Sequence, residues 1–254
     1  MNGGVEVLVE VRGGRCRVVQ LAARPPLAAR IVAGPPGGPE LVLVGSAAAL
    51  LEGDAVSVAV TLGPGARLTV RTTAATLAHP CPGGGSTETT VTAHLGPGAV
   101  LAWLPEPLVA CAGCRHRSRT RVTLSAGAAA VWYEAVTLGR SGERAGPVDL
   151  RLDATLDGAP LLRDGLRTGE GTAAGSPAVL GGLRHTGSVH LLGLRPAHRV
   201  PGVLDLAGPG ATARAVAPGA ASLERLLAPA RARFLERLPG PSPFPEPKET
   251  FLHA

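Results

Sequence analysis

Residues 55–76 read AVSVAVTLGPGARLTVRTTAAT, and this stretch decides the fold. Val56, Val58, Val60 and Leu62 alternate with Ala55, Ser57, Ala59 and Thr61, the period of a strand with one buried face. LGPGA (62–66) closes that run, and a second β run opens behind it. The phrase returns as LGPGA at 95–99 and, more loosely, as LSAGA at 124–128, at spacings of 33 and 29 residues. Each copy ends one β run and begins the next, as Gly-rich turns between antiparallel strands do. A strand pair per repeat predicts stacked β units around one continuous core. The plainer alternative is a common turn recurring in an Ala/Gly-rich chain.

Working outward, the same period appears at Val5, Val7, Val9 and Val11, and again at Leu150, Leu152, Ala154 and Leu156. Gly/Pro clusters at 34–39, 79–85 and 139–147 punctuate the runs. Helical spacing is confined to ASLERLLAPARARFLERL (221–238), where Leu223, Leu226, Leu227, Ala230, Phe234 and Leu238 form a stripe. Ser222 is the expected N-cap, and Pro229 is expected to kink or split the helix. The stripe either packs on the body or docks a partner through Leu223, Leu226, Leu227, Ala230 and Phe234. The expected fold is mainly β, with stacked strand units of a β-solenoid or β-sandwich kind and one or two C-terminal helices. Residues 1–218 form the β-rich domain, 219–238 the helical segment and 239–254 a Pro-rich mobile tail.

Composition narrows the function. Hydrophobic residues make 45% of the 254, enough for a core, while aromatics make only 2%, so Leu, Val and Ala must fill it. The net charge of +6 is carried almost wholly by arginine, with Lys248 the single lysine and no long basic run. With few aromatics to stack bases, this balance does not point to nucleic acid. No run of about 18 apolar residues occurs, so no membrane span is expected. The start, MNGGVEVLVEVRGG, has no basic leader, and the four cysteines are expected to be free thiols in a reducing cytoplasm.

Several constellations could carry chemistry. CAGCRH places Cys111, Cys114 and His116 at a metal or redox spacing, with Cys81 or His79 of the HPCP loop as a further ligand. The alternative is two small residues in a turn. Arg115, Arg117, Arg119 and Arg121 share one strand face, as do Asp149, Asp153 and Asp157. Cross-strand charge pairing, an acidic partner and phosphate binding are the readings in play. Asp54 and Glu134 stand at apolar parity, beside Val56 and beside Trp132 and Val136. A buried carboxylate needs a partner or an ion, so these acids either cap turns, reach water at an edge, or line an internal polar path. His185 and His190 are read near turns or on a solvated strand face. No G-x-S-x-G, H-E-x-x-H or phosphate loop occurs; HPCPGGGST lacks the Lys-Ser/Thr ending.

GARLTVRTTAAT (65–76), GAVLAWLPEP (98–107) and Glu134 followed by LGRSGE (138–143) stand in an order and spacing that resemble the UreD (UreH) family of urease accessory proteins. The chain departs from the family pattern at Ala74, at Leu77, Ala78 and His79, and at Pro107. The resemblance implies a non-enzymatic, largely β scaffold that binds UreF, which recruits the GTPase UreG, and docks on urease apoprotein. It implies no tightly bound cofactor, with Ni²⁺ in transit, and a C-terminal part that contributes to the UreF contact. Ni²⁺ binds strongly to dense thiolate sites, so a conduit needs weaker ligands; Asp54, Glu106 and Glu134 are the candidate stations. The alternatives are a β-solenoid module that binds an acidic polymer or protein through the arginine ladder, and a metal-dependent enzyme built on Cys111, Cys114 and His116.

Overall fold

The alternating runs pair into two sheets. The computed structural model describes residues 2–34, 37–48, 50–198 and 200–240; most of the expected tail, 241–254, lies outside the described residues. The strands are β1 (Asn2–Arg12), β2 (Arg15–Arg24), β3 (Leu27–Val32), β4 (Glu40–Gly45), β5 (Ala55–Leu62), β6 (Arg67–Thr72), β7 (Thr76–Ala78), β8 (Thr87–Leu95) and β9 (Val100–Leu104). They continue as β10 (Leu108–Ala110), β11 (His116–Leu124), β12 (Ala129–Leu138), β13 (Val148–Leu156), β14 (Ala159–Arg167), β15 (His185–Leu192), β16 (Val203–Asp205) and β17 (Gly210–Ala217), before helix α1 (Ala220–Arg237). One sheet has seven strands in the order β14-β13-β11-β8-β5-β1-β2. The other has ten, in the order β16-β17-β15-β12-β9-β6-β4-β3, with β10 paired to β12 and β7 paired to β10.

The Gly-rich turns are not the hairpin turns that the repeat suggested. β5 and β6, β8 and β9, and β11 and β12 fall in different sheets, and the strands that pair are those of successive repeats. Parallel pairing joins β1, β5, β8, β11 and β13 on one side, and β4, β6, β9 and β12 on the other. Each turn is thus a corner of a coil. Pro64 precedes Gly65 (φ 67°), and Ala66 N–H closes on Gly63 O at 3.0 Å, the pattern of a type II turn, whose twist does not suit a two-residue hairpin. The corners bond to one another: Gly65 N–H donates to Pro97 O at 2.9 Å, and Gly98 N–H donates to Ala126 O at 3.0 Å. The stacked β units and their continuous core are present, as a β-solenoid with antiparallel strands at both ends.

The opposite corner is built by the HPCP, CAGC and LGRSG loops. Cys111 N–H donates to Ala78 O at 3.1 Å and Gly139 N–H to Ala110 O at 2.8 Å, so these loops are successive copies of one bend. Between the corners the interior changes character. Near the GPGA turns, Val60, Leu62, Leu68, Leu95, Leu101, Val122 and Leu124 fill the space, with Trp103 and Trp132 stacked at 4.8 Å. At the far corner Leu50, Val56, Ala78, Ala110, Val136, Leu138 and Val148 close a second apolar cluster.

α1 is a single helix that runs unbroken through Pro229, whose exposed ring leaves the packed side untouched. Gly219 is the N-cap in place of Ser222, because the helix starts earlier than the stripe indicates. Leu223, Leu227, Ala230, Phe234 and Leu238 pack on the outer side of the ten-stranded sheet against Val131, Tyr133, Val189 and Ala213. Burial of these side chains outweighs the cost of an interior proline, about 3 kcal/mol. Arg231, paired with Glu224, lies 5.0 Å above the Tyr133 ring and ties the helix to the sheet.

Candidate functional site

Between the two apolar clusters, the inward-facing residues turn polar. Along β11 the inner face runs Leu124, Val122, Thr120, Ser118 and His116, and along β12 it passes from Trp132 to Glu134. The side chains no longer fill the gap between sheets, and a cavity of about 480 Å³ opens there. Its walls include Glu106 and Thr72 at one bend, His116, Thr120 and Glu134 in the middle, and Asp164, Ser188 and Arg214 toward the C-terminal end of the stack.

Glu134 is the central acid. Trp132 Nε1–H donates to its Oε1 at 2.9 Å, and Thr120 Oγ1–H donates to the same oxygen at 3.3 Å. Oε2 has no hydrogen-bond partner among the described residues and is not sealed from solvent, as expected for an oxygen at a cavity wall. Burial pushes the carboxyl up, against the opposing pull of Trp132 and His190. Glu106 lies where β9 bends at Pro105 and Pro107; its backbone N–H donates to Thr72 Oγ1 at 2.8 Å. Thus the TTAAT and WLPEP phrases are neighbouring bends of successive coils, and both line the cavity.

The sequence reading missed Asp164 and misplaced His190. Asp164 sits on the edge strand β14 but faces inward, ion-paired with Arg214 of the other sheet. Burial pushes its carboxyl up, yet His190 and Arg214 outweigh burial and hold it down at about 2. His190 is only 1% exposed, not solvated, because β15 is covered on both faces. Its Nδ1 lies 2.9 Å from Thr212 Oγ1 and its Nε2 3.4 Å from Asp164 Oδ2. The available signal for Asp164 was a lone acid amid the apolar residues of β14, which lacks a clean alternation.

The other candidates lie elsewhere. Asp54 is buried outside the cavity wall; its Oδ2 accepts from Leu51 N–H at 3.0 Å, the turn-capping arrangement. Cys111 and Cys114 bracket a corner turn closed by Cys114 N–H on Cys111 O at 3.2 Å. Burial pushes both thiols up, that of Cys114 to about 11, away from the thiolate that binds metal. His116 does not join them: its ring faces the cavity, Nδ1 lies 2.9 Å from Thr87 Oγ1, and burial holds it down at about 4. Among the described residues, no three His, Cys, Asp or Glu side chains converge closely enough to hold an ion. Of the helix stripe, four residues are buried against the chain's own sheet, and Leu226 alone of the five offered to a partner faces solvent, at 58% exposure. No described helix is long and apolar enough to cross a membrane.

Fold and site together define a two-sheeted β-solenoid with an internal, acid-lined cavity. The family model described as UreD urease accessory protein matches residues 1–243. A urease accessory protein UreD of a Parafrankia species is 35% identical, over 85% of this chain and 82% of its own length. One from Streptomyces coelicolor is 37% identical, over 89% of this chain and 95% of its own. A third, UreD 1 of Saccharopolyspora erythraea, is 37% identical over 85% and 89% of the two chains. The chain belongs to the UreD family of urease accessory proteins, and its role lies in urease maturation.

Proposed function

We propose that this protein is a non-enzymatic cytoplasmic scaffold that bridges urease apoprotein to UreF and UreG and lets Ni²⁺ pass through the cavity between its sheets. The observation that carries the reading is Glu134: a carboxylate deep in the molecule, fixed through one oxygen by Trp132 and Thr120, with the other turned to an open cavity. Burying a carboxylate is unfavourable without a partner, and a passing cation supplies one. Glu106, beside β9 of the ten-stranded sheet, and Asp164, on β14 of the seven-stranded sheet, line the same cavity, and the three acids do not converge on one point. Dispersed oxygen ligands bind a high-affinity cation such as Ni²⁺ weakly enough to release it, which a thiolate cluster would not. Asp54 and the Cys111–Cys114 turn are off this path.

Glu134→Gln tests the reading. The amide oxygen still accepts from Trp132 and Thr120, and removal of the buried charge leaves the fold at least as stable at neutral pH. Urease activation by the variant is expected to fall while co-purification with UreF persists. Activation equal to wild type would remove Glu134 from the path.

A further inference from the structure

The outer face of the seven-stranded sheet carries an arrangement that folding alone does not favour. On β11, Arg117, Arg119 and Arg121 point outward at every second residue. In the parallel register with β13, Arg119 stands directly opposite Arg151. Like charges across neighbouring strands are destabilising. In the register Arg117 stands between Glu88 and Asp149, and Arg121 stands opposite Asp153, yet none of these acids comes within ion-pair distance of Arg117, Arg121 or Arg151. Asp149 takes Arg119 at 2.8 Å and has Arg167 at 4.0 Å, and Asp153 takes Arg163 at 2.8 Å. Arg117, Arg121 and Arg151 are exposed and have no ion pair or hydrogen bond among the described residues.

These guanidiniums rise beside a low shelf. β8 contributes Glu88, Thr90, Thr92 and His94 to the same face, and β5 contributes Ala55, Ser57, Ala59 and Thr61, in register with β11. Nothing covers the shelf among the described residues, since α1 packs on the other sheet. We propose that this face docks a partner protein that presents a row of carboxylates, with Arg117, Arg121 and Arg151 as its contacts. Charge complementarity selects the partner's chemistry, and unpaired, exposed arginines steer such an encounter. The face suits a protein better than a nucleic acid: Glu88, Asp149 and Asp153 interrupt the positive field where a phosphate backbone would run, and no Phe, Tyr or Trp on it offers a base a stacking surface. The proposal does not depend on nickel transfer.

The test uses the full chain, with fluorescently labelled poly-L-glutamate as the probe. One variant combines Arg117→Gln, Arg121→Gln and Arg151→Gln. A control of equal charge combines Arg30→Gln, Arg144→Gln and Arg225→Gln, exposed arginines on β3, on the 139–147 loop and on α1. The face variant is expected to weaken binding about tenfold or more, and the control only slightly. Equal losses in the two variants would mean that net charge alone binds the probe, and would overturn the proposal. So would a short DNA duplex that binds more tightly than poly-L-glutamate at the same salt and is lost in the face variant, which would assign the face to nucleic acid. Thermal melting gives a second readout: relief of the Arg119–Arg151 rung should hold or raise the midpoint. A clear fall would make these arginines structural and overturn the proposal as well.

Discussion

His116 shows what a single side chain contributes to the stability of this fold. Its imidazole is neutral inside the molecule, held down by burial at about 4 against an ordinary 6.5. The unfolded chain therefore binds the proton first, so this contribution to stability is full above pH 6.5 and is lost as pH falls toward 4. His185, also lowered by burial, acts in the same direction. Glu143, held down at about 2 by Arg140, and Asp164 lose their contributions only further into acid, below ordinary carboxylate values. Denaturant unfolding at a series of pH values should show a fall of about 3 kcal/mol from His116 across its window, offset in part by Glu134, whose raised carboxyl favours the folded state as pH falls. His116→Gln should flatten that slope, and an unchanged slope would remove His116 as its source. Strand parity located Glu134 from the sequence, because Trp132 and Val136 share its face and β12 is regular. Parity could not locate His190 or Asp164: β15 buries both faces and so has no polar side to read, and β14 is an irregular edge.

At the scale of the element, the LGPGA turn carried the fold. Its spacing, its glycines and its flanking β runs were legible; the direction of pairing was not. Strands that meet in parallel are a whole coil apart in sequence, and the same alternation would serve a hairpin. The deciding contacts are the corner-to-corner backbone bonds, such as Gly98 N–H to Ala126 O at 3.0 Å. Gly98 has φ 66°, and a Cβ there would meet nothing within 4 Å, so Gly98→Ala isolates the backbone strain. Urea unfolding of that variant should show a loss of about 1–2 kcal/mol. No loss would mean that the left-handed corner is not fixed in the folded chain. The helix was legible as an element from its stripe, but not its partner: apolar spacing shows that a face is buried, not what buries it. Tyr133, Val189 and Ala213 of the ten-stranded sheet take that role.

Across the whole molecule, the two sheets are staggered stacks whose ends need protection. At the edges, Arg15 and Arg17 on β2, Pro160 on β14, the three-residue β16 and the inward Asp164 discourage further strand addition. Bulges in the β1–β2 and β13–β14 pairs serve the same end. Between them, apolar packing fills both corners and leaves a cavity in the middle, which the proposed function takes as a passage. That division was written in β11 as outward arginines and inward His116, Ser118 and Thr120, yet only the arginines are conspicuous in a linear reading. The central claim is that cargo moves through this space. It is tested most directly by filling the passage without touching its acids. Ser118→Trp places a large ring in the cavity from the middle of β11. Urease activation is to be measured with this variant, matched to wild type in melting temperature and in partner capture. The account predicts activation near the level without accessory protein. Full activation with the cavity blocked would contradict it.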